Sequence, residues 1–234
     1  MKFNIRKWSP KTMLKPHRKV LYIGASGKGK SVAMRAVLRA MPPVDLAIGF
    51  TPTDDTAAEL ARILPPRCIH DSTSSASSPT RSARCADRGR LRFRLGRVAL
   101  QIALQHCLSL DPSLRTNVDY VICTACGNHQ EKRKLYQSFF GVFKTYSSFD
   151  QCFTQCTSDW RCIVLDQTQP SPNIENSVFW FKADLEAEKV PFRLCKSVFW
   201  QFAANPPRQK KTADVLVVED SAKPVDKRSI VVVG

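Results

Sequence analysis

The chain has 234 residues, enough for one sizeable α/β core or a core with a small appendage. Apolar residues make up 43%, a globular proportion, and no apolar run is long enough to span a bilayer as a helix. A formal charge of +16 points to a polyanionic partner, most simply nucleic acid. Nine cysteines at irregular spacing read as reduced thiols rather than a disulfide framework.

Residues 1–17 form a basic N-terminal arm. Lys2, Arg6, Lys7, Lys11, Lys15, Arg18 and Lys19 carry no acid among them. The arm reads either as a solvated segment or as a phosphate-tracking one. It lacks the apolar core of a secretory leader. A domain over 18–204 follows. Lys19–Ile23 is an apolar run, and it predicts a buried strand. Gly24-Ala25-Ser26-Gly27-Lys28-Gly29-Lys30-Ser31 comes directly after it and matches G-x-x-x-x-G-K-[ST], the phosphate-binding loop. Glycines let such a loop turn tightly and bring backbone N–H groups to phosphate oxygens. Lys30 would reach the β- and γ-phosphates of ATP, and the Ser31 hydroxyl would hold Mg²⁺. Ser31 to Ala40 has helical periodicity and is stopped by Pro42-Pro43. The loop therefore opens a helix whose N-terminus is an anion site.

Val44 to Phe50 predicts a second strand. Thr56 and Glu59 have capping-box spacing for a helix over Asp55 to Leu64, ended by Pro65-Pro66. This βαβα order implies a mostly parallel sheet flanked by helices. From residue 72 to 97 the chain is Ser-rich and then Arg-rich, with nothing resembling core. It reads as a disordered basic insertion, or alternatively as a phosphate-binding one.

Val98 to Gln105 suits a buried strand ending in a polar residue. Val118 to Cys123 predicts another strand, and Glu131 to Tyr146 a helix with Leu135, Phe139, Val142 and Phe143 on one stripe. That stripe reads as core. A short helix over Asp150 to Asp159 precedes a strand over Arg161 to Asp166. Val178–Phe181 and Phe192–Leu194 suggest a closing pair of strands, with Val198-Phe199-Trp200 after them. Residues 205–234 read as a flexible tail, with possible edge strands at Val215–Val218 and Ile230–Val233. Cys123-Thr124-Ala125-Cys126 has C-x-x-C spacing without a second pair to complete a zinc site, so buried thiols are expected.

Several of these segments, taken together, resemble one family. They are Gly24–Ser31, Thr51-Pro52-Thr53, Ile102–Gln105, Leu114-Arg115-Thr116-Asn117-Val118-Asp119-Tyr120-Val121, Cys162–Asp166 and Val178-Phe179-Trp180-Phe181-Lys182-Ala183. In this order they are similar to the genome-packaging ATPases of large nucleocytoplasmic DNA viruses, a branch of the FtsK–HerA superfamily, in its iridovirus and giant-virus members. The resemblance covers roughly 18–71 and 100–202. It implies a RecA-like P-loop NTPase fold assembled as a ring, a hexamer, that uses ATP and Mg²⁺ to drive double-stranded DNA into capsids. It also implies contacts with capsid proteins and a location in the host cytoplasm, at the viral factory, or in the virion. A degenerate relative that binds nucleotide or DNA without hydrolysis, and a P-loop kinase, are the alternative readings.

By position, Gln105 matches the polar sensor that orients the attacking water, and Arg115 is a candidate for an arginine acting on a neighbour's γ-phosphate. A structural ion pair is the alternative for Arg115. The family carries an apolar strand ending in paired acids before the sensor strand, one acid for Mg²⁺ and one for water. No such strand occurs between Pro65 and Gln105. The Ser/Arg composition there, flanked by family-like sequence, suggests a disrupted reading frame. Asp166 is the tempting substitute by pattern, and Asp45 a weaker one. Translating the coding nucleotides of residues 70–100 in the other two frames is expected to reveal the missing strand; its absence from both would sink that explanation.

Overall fold

The computed structural model describes residues 3–42, 44–51, 53–71, 99–109, 112–168, 171, 173–185 and 189–204. The readings made for 72–97 and 205–234 lie outside them. The described residues fall into two compact units, one drawn from Met1–Pro42 and Ser77–Phe192, the other from Pro43–Ala76 and Arg193–Val233. Among the described residues no helix is long and apolar enough to cross a membrane.

The first unit is a six-stranded mixed sheet with helices on both faces, the α/β architecture expected from the sequence. Its strands are β1 (Arg6–Lys7), β2 (Lys19–Ile23), β5 (Leu100–Leu104), β6 (Tyr120–Cys123), β7 (Arg161–Asp166) and β8 (Val178–Lys182), in the order β1-β8-β7-β6-β2-β5. β2 runs parallel to β5 and β6, whereas β7 is antiparallel to both β6 and β8. Val20, Leu21, Tyr22 and Ile23 are all buried because a central strand is covered on both faces. Alternation splits them. Val20 and Tyr22 join a cluster with Ala33 and Val37 of α2 (Lys30–Ala40), while Leu21 and Ile23 join Leu135, Phe140, Phe149 and Phe153 on the other face.

Two helices cover the second face, as expected, but the first ends well before Tyr146 and the second begins there rather than at Asp150. α5 (His129–Ser138) is capped by Asn128, whose side chain accepts from the amides of Gln130 and Glu131. The chain then leaves the helix at Phe139 and restarts as α6 (Tyr146–Cys156), capped by Thr145. Between them Phe139, Phe140 and Phe143 turn inward. Phe140 and Phe143 pack on Phe149 with ring centroids 5.0 and 5.7 Å away. Burying these rings outweighs continuing the helix. The stripe is core, as read. Cys123, Cys152 and Cys156 are buried with it, Cys162 is buried in the cluster on the other face, and Cys126 is only half-buried.

Two expectations for this unit change. The sequence predicts a buried strand for β5, but it lies at the edge of the sheet, and its residues are only half-buried or exposed. Among the described residues nothing pairs with its outer side. Residues 3–14, read as part of a basic arm, are also tied down. Trp8 is fully buried against Phe181, and its amide donates to the Trp180 carbonyl at 2.8 Å. The Tyr120 hydroxyl donates to the Met13 carbonyl at 3.0 Å, at the end of α1 (Pro10–Met13). Arg6 and Lys7 then lie over the rings of Phe179 and Trp180.

The second unit holds a small parallel pair, β3 (Gly49–Thr51) with β4 (Ile69–Asp71), and α3 (Asp54–Ala61) between them. The strand expected over 44–50 is thus shorter, and it belongs to this pair rather than to the six-stranded sheet. The helix begins earlier than expected, with Thr53 as its N-cap residue; Thr56 is inside it and donates to the Thr53 carbonyl at 3.0 Å. Phe192–Leu194 forms no strand. Val198–Trp200 lies in α7 (Ser197–Ala204), where Trp200 Nε1 donates to the Leu194 carbonyl at 2.8 Å. Tertiary contact overrides the β-propensity of Val-Phe-Trp here.

Trp8→Ala is expected to destabilise the protein by about 3 kcal/mol, since a fully buried indole leaves a large cavity. Urea denaturation measures this. An unchanged midpoint would mean the N-terminal segment is solvated after all.

Candidate phosphate-binding site

The loop springs from the carboxyl end of β2, between β6 and the edge strand β5. At its start the Gly24 amide donates to the Leu104 carbonyl of β5 at 3.3 Å, and on the other side the Thr124 amide donates to the Ile23 carbonyl at 3.0 Å. Gly24 is pinned between these neighbours. A Cβ there would stand 1.9 Å from Thr124 Oγ1, so no other residue fits without displacing the threonine. Gly27 and Gly29 have φ of 71° and 83°, the left-handed region that glycine enters at little steric cost. Gly29 is the N-cap of α2 and offers no side chain to the helix. The first amides of α2, at Lys30, Ser31 and Val32, therefore have no partner within the helix and carry its positive dipole end.

Lys30 turns back into the loop. Its Nζ donates to the carbonyls of Gly24 at 2.6 Å and Ala25 at 2.9 Å. Burial pushes its pKa below the ordinary lysine value, because the ammonium has lost part of its hydration. A polyanion entering here would restore charged-group solvation that water no longer supplies. The residues present fit a phosphate chain: glycines where a side chain would block the approach, helix amides, and a half-desolvated cation. They fit Mg²⁺ only in part. Ser31 is in the first turn beside Lys30 and offers one hydroxyl, so the remaining oxygens would come from phosphate, water or an acid.

The other sequence candidates separate by edge. Gln105 directly follows β5, one residue past the Leu104 carbonyl that receives the Gly24 amide, and its side chain is exposed. It therefore stands at the loop's edge of the sheet. Arg115 ends α4 (Pro112–Arg115), on the connection that enters β6 from its amino end, so it belongs to the opposite edge. Asp166 is also at the opposite edge. β7 runs antiparallel and pairs Asp166 with Tyr120, the first residue of β6, and the carboxylate accepts from the Thr168 amide and hydroxyl. It is no substitute for a Mg²⁺-binding acid at the loop. Asp45 lies in no strand and pairs with Lys196 at 2.7 Å.

Sequence reasoning missed Thr124. Its Oγ1 is buried, aimed at Gly24, and has no hydrogen-bond partner among the described residues. Its place follows from register: β6 runs parallel to the loop strand with Cys123 opposite Ile23, which brings the next residue beside Gly24. It also missed Trp160, whose indole comes up beside Gly29.

No family model matches the chain. It is 34% identical over 87 residues to the uncharacterized protein L437 of Acanthamoeba polyphaga mimivirus, covering 37% of this chain and 31% of that protein. It is 27% identical over 89 residues to the uncharacterized protein 088R of Invertebrate iridescent virus 3, covering 38% of this chain and 34% of that protein. The chain thus spans about a third of the length of these relatives, which are proteins of large DNA viruses. Among solved structures it is similar to the genome packaging NTPase B204 from Sulfolobus turreted icosahedral virus 2 in complex with sulfate, with a TM-score of 0.45 and 12% identity, over 73% of this chain and 98% of that one.

Gly24→Ala is expected to destabilise the protein by about 2 kcal/mol, through overpacking against Thr124. Thr124→Gly in the same chain should recover most of that loss. Denaturation of the two single variants and the double variant measures the coupling; simple additivity would contradict the contact.

Proposed function

We propose that the chain binds ATP with Mg²⁺ at Gly24–Ser31 and serves as the ATPase of a viral DNA-packaging motor. The observation that carries this reading is the partly desolvated Lys30 ammonium held inside a glycine loop between a buried parallel strand and a helix N-terminus. The relatives in large DNA viruses and the charge of +16 support the setting. Lys30 and the first amides of α2 neutralise the β- and γ-phosphates. Ser31 contributes one oxygen to Mg²⁺, which would polarise the γ-phosphoryl group. Gln105 orients water beside the loop. Arg115 lies at the far edge of its own sheet and so acts, if on phosphate, on that of a neighbouring subunit. This fits a homo-oligomeric ring, a hexamer, around double-stranded DNA, working with capsid proteins in the host cytoplasm or the virion.

A second reading is favoured by one observation. β5 has no described strand on its outer side, and no strand ending in paired acids precedes it in the sequence. A chain without those acids binds nucleotide and DNA but does not turn ATP over.

Lys30→Ala is expected to weaken ATP binding roughly tenfold to a hundredfold, the worth of a charge-assisted contact. Calorimetry on parent and variant measures this, with circular dichroism as the check on folding. Equal affinity in both, or no binding by the parent, sinks the reading. Phosphate release with double-stranded DNA present then separates the motor from the non-hydrolysing relative.

A further inference from the structure

The connection between α6 and β7 has no role in the site as described so far, yet it arrives there. β7 is antiparallel to β6, with Ile163 opposite Cys123, so its first residue, Arg161, lies at the edge from which Gly24–Ser31 springs. The residues just before it, Asp159 and Trp160, have φ of 51° and 60°. Two consecutive side-chain-bearing residues in the left-handed region are rare, and a bulky one there is an outlier. The turn is firmly built. Arg161 Nη2 donates to Asp159 Oδ2 and Ser158 Oγ, both at 2.9 Å, and Nε donates to the Ser158 carbonyl at 3.1 Å. The same guanidinium lies over the Trp180 ring at 5.5 Å.

This braced, unfavourable backbone presents the Trp160 indole to solvent. The residue is 72% exposed, whereas Trp8 is fully buried. Among the described residues no other ring or cation stacks on it. Its Cε3 stands 3.8 Å from where a Cβ on Gly29 would be. Strain of this kind persists where the surroundings impose it, and such places cluster at functional sites.

We infer that Trp160 is the stacking platform for the base of a nucleoside triphosphate whose phosphates occupy Gly24–Ser31. The inference rests on the reading of that loop as a triphosphate site. With the phosphates gripped at Gly29 to Ser31, ribose and base must leave over the rim of the loop. An indole fixed beside Gly29 offers that base a flat π-face. Stacking reads the face of a base and not its edges, so Trp160 adds affinity without choosing among bases.

The test measures binding of ATP, GTP and inorganic tripolyphosphate to the full chain and to Trp160→Ala, Trp160→Phe and Trp160→Gly. Removing the ring should weaken ATP and GTP alike by about tenfold and leave tripolyphosphate unchanged; phenylalanine should retain most of the affinity. Trp160→Gly should also raise the melting temperature, since glycine relieves the left-handed strain. Weaker nucleotide binding by a more stable protein is not what a merely structural tryptophan would give. Equal losses for ATP and tripolyphosphate, or no loss for ATP, overturn the inference and leave the loop reading intact. So does a variant that binds ATP normally but loses single-stranded DNA, which would assign the ring to a base of the polymer. A parent that binds neither ATP nor tripolyphosphate overturns both.

Discussion

The site depends on one short contact set, the Lys30 ammonium donating to the carbonyls of Gly24 and Ala25. A cation can sit there only because the surrounding backbone is fixed. Gly24 is bonded to β5 through its amide, Ile23 receives the Thr124 amide, and Thr124 leaves no space beside Gly24. The strand that ends at Ile23 is buried on both faces, so it cannot shift register without exposing one of two cores. Core packing and charge placement are therefore one problem in this protein. Loosening the sheet anywhere near β2 would first be felt as a displaced lysine.

The loop was legible in the sequence because its requirements are local. Glycine at positive φ, an apolar run before and a helical pattern after are each written within a few residues. Lys19–Ile23, Arg161–Asp166 and Val178–Phe181 were legible for the same reason, being apolar runs of strand length bounded by polar residues. What could not be read was direction. Cys162–Leu165 has the pattern of any buried strand, but it pairs antiparallel, and this carries Asp166 to the wrong edge while carrying Trp160 to the right one. Strand pairing is set by contacts far apart in the chain, and no local pattern encodes it. The break near Phe139 was hidden because helix and turn both satisfy the aromatic stripe. Val198-Phe199-Trp200 was hidden because its helix depends on contacts from Arg193 and Leu194.

The two edges of the six-stranded sheet are managed differently. β1 is two residues long, carries Arg6 and Lys7, and is held by Trp8, a short charged edge of the kind that discourages further pairing. β5 is longer and rich in apolar residues, and it borders the loop strand directly. Its half-buried side chains are those of a strand made for the interior of a sheet. The sequence just before it contains no apolar strand to cover it.

A backbone with one side unpaired can template any extended chain that drifts alongside, including another copy of itself. Leu100–Leu104 offers such a partner five residues, and the Leu104 carbonyl at their end already receives the Gly24 amide, so a chain pairing along this rim would come to rest directly beside the loop.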